Sequence, residues 1–206
     1  MCIMKVPEEK AFEMVRKIGA EVPKFFFCRK ESEMERVVEK LSFPFVLKVS
    51  GRKIVHKSDV KGVSIVHTRE EALREFGRLK KIKGCEKVLV QEFIRGVETI
   101  VGVKKDDTFG YAILFGLGGM FTEIFHDVSL RVCPIAERDA EEMLEEIKGK
   151  EILKGYRGVR INRKKLVDIL VRLSKAAEKW KIREMDINPL ICNEKACYAV
   201  DLRIFR

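Results

Sequence analysis

The chain is short of amides: Gln91 is its sole glutamine, and Asn162, Asn188 and Asn193 are its only asparagines. With 36% charged residues, that scarcity points towards a thermophilic source, although six cysteines pull the other way. No apolar run approaches the roughly 20 residues that a membrane-spanning helix requires. The opening Met1-Cys2-Ile3-Met4-Lys5-Val6-Pro7 has no long apolar core and no small-residue cleavage site, so no secretory leader is expected. Nor is there a Cys-x-x-Cys pair: Cys2, Cys28, Cys85, Cys133, Cys192 and Cys197 are scattered. His56, His67 and His126 do not stand at zinc-ligand spacing to them. Reduced thiols and a cytoplasmic location are the expectation. Internal repeats and low-complexity stretches are also missing.

What is there is a chain of 206 residues, 46% apolar and 8% aromatic, which excludes a disordered tail. That length suits one ordinary domain or two small lobes with a real core. Lys and Arg number 42 against 32 Asp and Glu, a net charge of +10. Such an excess suits nucleic acid, an anionic small ligand, an acidic partner or plain solvation. Much of it is local. Between Lys148 and Lys165, eight bases stand against the single acid Glu151. No nucleic-acid motif or aromatic-interleaved basic strand accompanies them, so nucleic acid is not the expected partner.

Periodicity predicts a helix over Pro7–Ile18, with Glu8 and Glu9 at its positive end and Gly19 stopping it. Strands are predicted at 25–28, 45–49, 62–66, 88–93, 99–103, 111–115, 183–192 and 198–204. Further helices are predicted near 31–41, from the Thr68-Arg69-Glu70-Glu71 cap to about 79, at 139–148 and at 163–180. Strands and helices mix without strict alternation, so we expect an α+β protein of two lobes meeting near residues 104–110.

Four stretches carry candidate chemistry. In Glu184-Met185-Asp186-Ile187-Asn188-Pro189, strand alternation puts Glu184, Asp186 and Asn188 on one face. Asp201, on the next strand, is expected across the hairpin. Two carboxylates and an amide form the partial oxygen shell that Mg²⁺ accepts when phosphates and water complete it. A solvated acidic strand face is the plain alternative. Phe115-Gly116-Leu117-Gly118-Gly119 places glycines straight after a strand, where backbone N–H groups can approach an anion. It fits neither the dinucleotide fingerprint nor a Walker loop, and a tight turn is the alternative.

Lys48 stands inside an apolar strand, an expensive place for an ammonium without an anion, unless it snorkels to the edge. The loop His56-Lys57-Ser58-Asp59-Val60-Lys61 sets a titratable imidazole among donors. His56 is a candidate phosphoryl acceptor, against the alternative of an exposed loop histidine. Gln91-Glu92-Phe93-Ile94 ends a strand near the expected lobe junction, and Glu98 follows as a candidate partner for ribose hydroxyls or an ordinary edge glutamate.

In their order, these stretches resemble the ATP-grasp superfamily, and most of all the β subunit of ADP-forming acyl-CoA synthetases, also called ADP-forming acetate–CoA ligases. The resemblance spans the Pro7–Gly19 helix to Asp201. It is most specific in Ile54–Val60, Phe115–Gly119 with Glu123, Asp127-Val128-Ser129-Leu130-Arg131 and Asp186-Ile187-Asn188-Pro189. The chain departs from the family pattern at the basic Ser50-Gly51-Arg52-Lys53, at Lys61 and at Tyr111.

The resemblance implies an ATP-grasp fold whose two α+β lobes clasp nucleotide. Residues 1–20 would be a helix and linker, 21–104 the lid lobe, and 105–206 the lobe with the metal site. Lys48 would contact ATP phosphate, Gln91, Glu92, Phe93 and Ile94 would frame adenine, and Glu98 would hold ribose. Gly118, Gly119 and Arg131 would line the phosphate path, while Asp186, Asn188 and Asp201 would carry Mg²⁺. His56 would relay a phosphoryl group from a phosphohistidine on a separate α subunit, which also holds coenzyme A, within an α2β2 assembly. The implied reaction turns acyl-CoA, ADP and phosphate reversibly into acid, coenzyme A and ATP. A succinyl-CoA synthetase β subunit and a non-catalytic nucleotide-binding module are the alternatives. No membrane partner is expected.

Overall fold

The computed structural model describes residues 4–51, 54, 57–119, 127–155, 158 and 160–206. They form two compact units, Pro23–Phe93 and the pair of segments Met1–Val22 with Ile94–Arg206. The division falls at 93/94, whereas the sequence placed the lobe junction at 104–110 and the first lobe over 21–104. The physical reason is strand β5, which runs unbroken from Val97 to Asp106 and pairs along its length inside the larger unit. Helix α1 (Glu8–Lys17) also belongs to the larger unit, packing on the last strand, and Gly19 ends it at φ +94° as expected.

The smaller unit is a four-stranded antiparallel sheet under two helices. Its strands are β1 (Phe25–Cys28), β2 (Phe45–Ser50), β3 (Val63–Val66) and β4 (Lys87–Glu92), in spatial order β1-β4-β2-β3. Helices α2 (Glu31–Val38) and α3 (Arg69–Lys80) cover one face. The Thr68 hydroxyl accepts the Glu71 N–H at 3.2 Å, so the predicted cap forms, and the Glu71 carboxylate accepts the His67 N–H just before it at 2.8 Å. Phe45, Leu47, Val49, Val66, Val88 and Val90 meet Met34, Ala72, Phe76 and Leu79 in the core. The alternation then forces Val46, Lys48, Leu89 and Gln91 onto the opposite face.

In the larger unit the order is β10-β8-β5-β6-β7, with β9 beside β8. The strands are β5, β6 (Gly110–Leu117), β7 (Val128–Val132), β8 (Glu184–Cys192), β9 (Cys197–Ala199) and β10 (Leu202–Phe205). Helix α4 (Glu137–Glu146), short helix α5 (Lys150–Leu153) and long helix α6 (Arg163–Lys179) complete it. Val103, Ile113, Met185 and Ile204 lie in register across the sheet and are almost wholly buried on its helix-covered face.

Four details differ from the sequence expectation. The closing strand is broken: Asn188 N–H donates to Asp201 O and Val200 N–H to Pro189 O, and the chain bends there, leaving β9 and β10 as two pieces. Strand β7 carries alternating Ser129 and Arg131 that masked its apolar face, and α5 is too short for a periodic signal. The basic stretch is partly balanced in space. Arg163 pairs with Glu141 and Glu145 of α4, and Lys154 with Glu145 and Glu151, at 2.5–3.2 Å.

Phe45 is fully buried at the centre of the smaller unit's core. Phe45→Ala is expected to cost about 3–5 kcal/mol in chemical unfolding, the usual penalty for emptying a buried phenyl site.

Candidate functional site

In the smaller unit, the face of the sheet turned away from the helices carries a buried polar pair. Lys48 is only 4% exposed, yet its Nζ donates to Gln91 Oε1 at 2.8 Å. Val46 stands opposite Gln91, one pleat from Lys48, so the alternation brings the two side chains to one face. Gln91 is itself fully buried, and its Nε2 has no hydrogen-bond partner among the described residues. A buried amide donor left unmatched costs free energy, and a bound acceptor removes that cost. Beside them, Glu92 is committed locally: its N–H donates to Lys24 O and its carboxylate accepts the Lys24 N–H. Phe93 follows it, half-buried, and closes the unit. His56 lies outside the described residues, as does Glu123. The neighbouring Lys57 is buried and Gly62 N–H donates to its carbonyl at 2.7 Å.

In the larger unit, Ile94 leads into β5. Glu98 meets the glycine turn directly. Gly118 N–H donates to Glu98 O at 2.7 Å, and a Cβ at Gly118 would stand 3.1 Å from Glu98 Cβ. Gly119 takes φ +63°, and a Cβ there would be 3.6 Å from the Glu98 carboxylate. The absence of side chains at 118 and 119 therefore lets the Glu98 carboxylate and the turn's backbone share one end of the sheet.

Further along β5, Gly102 faces Asp186 across the ladder, and a Cβ at 102 would sit 3.3 Å from Asp186 Oδ1. Asp186 and Asn188 alternate with buried Met185 and Ile187, as the strand pattern predicted. Asn188 comes opposite Asp201 through the Asn188 N–H to Asp201 O bond, at 3.0 Å. Asp201 Oδ1 accepts the Leu202 N–H at 2.9 Å, which fixes its carboxylate at the bend. The residue types suit a hard cation: two carboxylates and an amide stand on the two arms of one hairpin, and a side chain at 102 would crowd Asp186. Arg203, directly opposite Asp186, reaches its Oδ2 at 3.6 Å and sets a guanidinium beside that carboxylate. Gly102 and Arg203 escaped the sequence reading because only the strand register reveals them.

Arg131 is not brought to this face. It lies opposite Ile113, in register with Val103 and Met185, and so on the helix-covered side, whereas Asp186 is in register with Gly102, Leu114 and Leu130. There its guanidinium grips Glu146 of α4 with both nitrogens, one at 2.9 Å, and Ser129 Oγ adds a bond to the same carboxylate at 2.5 Å. The period-2 pleat is the reason: one residue's shift in register exchanges the faces. Asp127 of the same motif is structural, accepting the Lys148 and Gly149 N–H groups at 2.7 and 2.8 Å.

Comparison with known proteins places these features in context. The ATP-grasp domain profile matches residues 4–205. The chain is 41% identical to ADP-forming acetate–CoA ligase II of Archaeoglobus fulgidus over 98% of its own length, but spans only 30% of that protein. It is 39% identical to the β subunit of ADP-forming acetate–CoA ligase I of Pyrococcus furiosus, covering 96% of this chain and 90% of that one. Among solved structures it is similar to dinucleotide-forming acetyl-coenzyme A synthetase 1 of Candidatus Korarchaeum cryptofilum. In the complex with coenzyme A and Ca-AMPCP the TM-score is 0.88 at 35% identity, over 98% of this chain and 92% of that one. In its complex with Mg-AMPPCP, described with a phosphohistidine segment pointing towards the nucleotide site, the values are 0.79 and 38%, over 97% and 92%.

The Arg131–Glu146 pair has a measurable signature. Hydrogen bonds from Arg131 and Ser129 hold the Glu146 carboxyl down from 4.5 to about 2. A depressed carboxylate stabilises the fold above its unfolded value and loses that contribution as pH falls through the folded one. Glu146→Gln is expected to unfold at lower denaturant at neutral pH, with the gap from the parent closing between about pH 4.5 and 2.

Proposed function

The chain belongs to the ATP-grasp family, alongside the β subunits of ADP-forming acetate–CoA ligases, and we propose that it is the nucleotide-handling subunit of such an enzyme. In the reaction we assign to the assembly, acyl-CoA, ADP and phosphate give acid, coenzyme A and ATP, reversibly. The observation that carries the reading is the Asp186–Asn188–Asp201 hairpin over the side-chain-free Gly102, set in a chain covering 90% of a named β subunit. These relatives favour the acetate–CoA ligase branch over a succinyl-CoA synthetase.

Each residue has a chemical task in this reading. Phosphoryl transfer needs alignment and charge neutralisation more than covalent help. Lys48, held by Gln91 within a buried strand, meets nucleotide phosphate with an ammonium that water screens little. Gln91 to Ile94 line the base, with the Gln91 amide offering the donor it does not use internally. The Glu98 carboxylate accepts from ribose hydroxyls beside the Gly118–Gly119 turn, whose open backbone admits the phosphate chain. Asp186, Asn188 and Asp201 would hold Mg²⁺, which when bound would neutralise phosphate charge. Arg131, paired with Glu146, keeps β7 on α4, on the face away from Asp186.

His56 relays the phosphoryl group: its imidazole nitrogen forms the P–N bond as the partner's phosphohistidine bond breaks, and ADP then takes the group. The α subunit supplies the primary phosphohistidine and coenzyme A, in an α2β2 assembly within the cytoplasm.

Copurification from native extract, followed by assay of ATP formation from acetyl-CoA, ADP and phosphate, tests the reading. The chain alone should be inactive and the complex active; full turnover by the chain alone would overturn the subunit assignment. In the complex, Asp186→Ala is expected to lower turnover at least about 100-fold with the fold intact by circular dichroism. Undiminished activity would remove the metal assignment, and normal turnover in His56→Ala would remove the relay.

A further inference from the structure

At the end of the larger unit's sheet remote from Glu98, a cleft of about 590 Å³ opens within that unit. Lys105 lies seven residues beyond Glu98 on β5, about 23 Å away at the usual strand rise of about 3.3 Å. The cleft is therefore separate from the Glu98–Gly119 turn. It is walled by Lys105, Lys181, Arg183 and Arg206, by the Tyr111 ring, and by one acid, Glu178.

The fold itself brings these cations together. Lys105 N–H donates to Arg183 O, and Arg183 N–H to Phe205 O, both at 2.9 Å, so the ends of β5, β8 and β10 converge. Like charges gathered on neighbouring strand ends repel unless an anion joins them. Among the described residues, none of the four is in an ion pair. Arg206 is the most telling: its Nη2 has only the weak acceptor Met14 Sδ at 3.5 Å, and its Nε is buried with no partner among the described residues.

Lys181 adds a backbone observation. Lys181 N–H donates to Glu178 O and Ile182 N–H to Ala177 O, so Lys181 occupies the residue after the α6 cap, where glycine is usual. It takes φ +51°, a left-handed conformation disfavoured for a residue with a Cβ. A lysine there also offsets the helix dipole. The dipole does not account for Lys105, Arg183 and Arg206 converging on the same space.

We propose that this cleft is a second anion site, taking a small molecule that carries two or more phosphate or carboxylate groups. Its volume falls within the range of ordinary small-molecule pockets. Two guanidinium forks and two ammonium groups match the charge and geometry of such an oligoanion. The Tyr111 ring supplies an apolar wall for whatever carries the charged groups.

The test is calorimetric titration of the full chain with inorganic tripolyphosphate and, separately, with citrate, in saturating Mg-AMPPCP to occupy the nucleotide site. Trp180, the chain's one tryptophan, stands next to Lys181 and reports occupancy through its fluorescence. At least one anion should bind saturably with a change in that fluorescence, more weakly as salt rises. The stronger of the two identifies phosphate or carboxylate as the natural group. Lys105→Glu with Arg183→Glu should weaken the anion at least tenfold and leave Mg-AMPPCP binding unaltered. Lys181→Gly should raise Tm while weakening the anion, a split that a purely structural lysine would not produce. Failure of both anions to bind, or equal binding in the double variant, would overturn the site.

Discussion

The pairing of β5 with β8 is the contact on which the larger unit rests. The two strands are remote in sequence, yet they run antiparallel from Val97 opposite Cys192 to Lys104 opposite Glu184, with one irregularity between Thr99 and Val101. Once that register is set, the pleat decides everything beside it. Val103 and Met185 go to the helices, while Gly102 and Asp186 go to the other face. Because β6, β7 and β10 are added in register, the same choice sends Arg131 to α4 and places Arg203 beside Asp186. A one-residue slip would bury the acids and expose the methionine and isoleucine, which is why such a register is tightly specified.

Glycine does its work where two elements must touch. At 102 it leaves the space that Asp186 uses, and at 118 it lets the turn close onto Glu98. A Cβ at 116 would meet Asp127 O at 2.7 Å, so the strand itself needs the missing side chain to pass the loop behind it. The smaller unit solves a different problem, keeping Lys48 within a sheet interior by giving it Gln91 as acceptor. A charged group so buried has a fixed position and a strong field, both of which suit a phosphate contact.

The net charge of +10 resolves into parts with different fates. Around α5 and the start of α6, Arg163 and Lys154 are met by the glutamates of α4, so the densest basic stretch is partly a structural network. Exposed pairs of this kind contribute little each, and their main effect is to orient helices. At the far end of the sheet, Lys105, Lys181, Arg183 and Arg206 have no such matching acids beyond Glu178 among the described residues. Part of the remaining charge thus gathers in a concave place, where a low-dielectric wall strengthens its field.

Local signals were readable without coordinates wherever short-range chemistry decides. Gly19 after α1, the Thr68 cap on α3 and the Asp186–Asn188 alternation on β8 depend on neighbours within a few residues, and they appear as expected. Strand β7 was hidden because Ser129 and Arg131 find their partner in Glu146, some fifteen residues away on another element. The boundary at 93/94 was hidden for a similar reason, since β5 looks like a lobe edge until β8 pairs with it. By itself the sequence determined most element types, the carboxylate hairpin and the glycine turn, because periodicity and backbone freedom are local properties. Only the tertiary structure decided which face Arg131 occupies, that Gly102 makes room for Asp186, and that four cations from distant segments share one cleft. Those outcomes depend on register between strands, and register is a property of pairs.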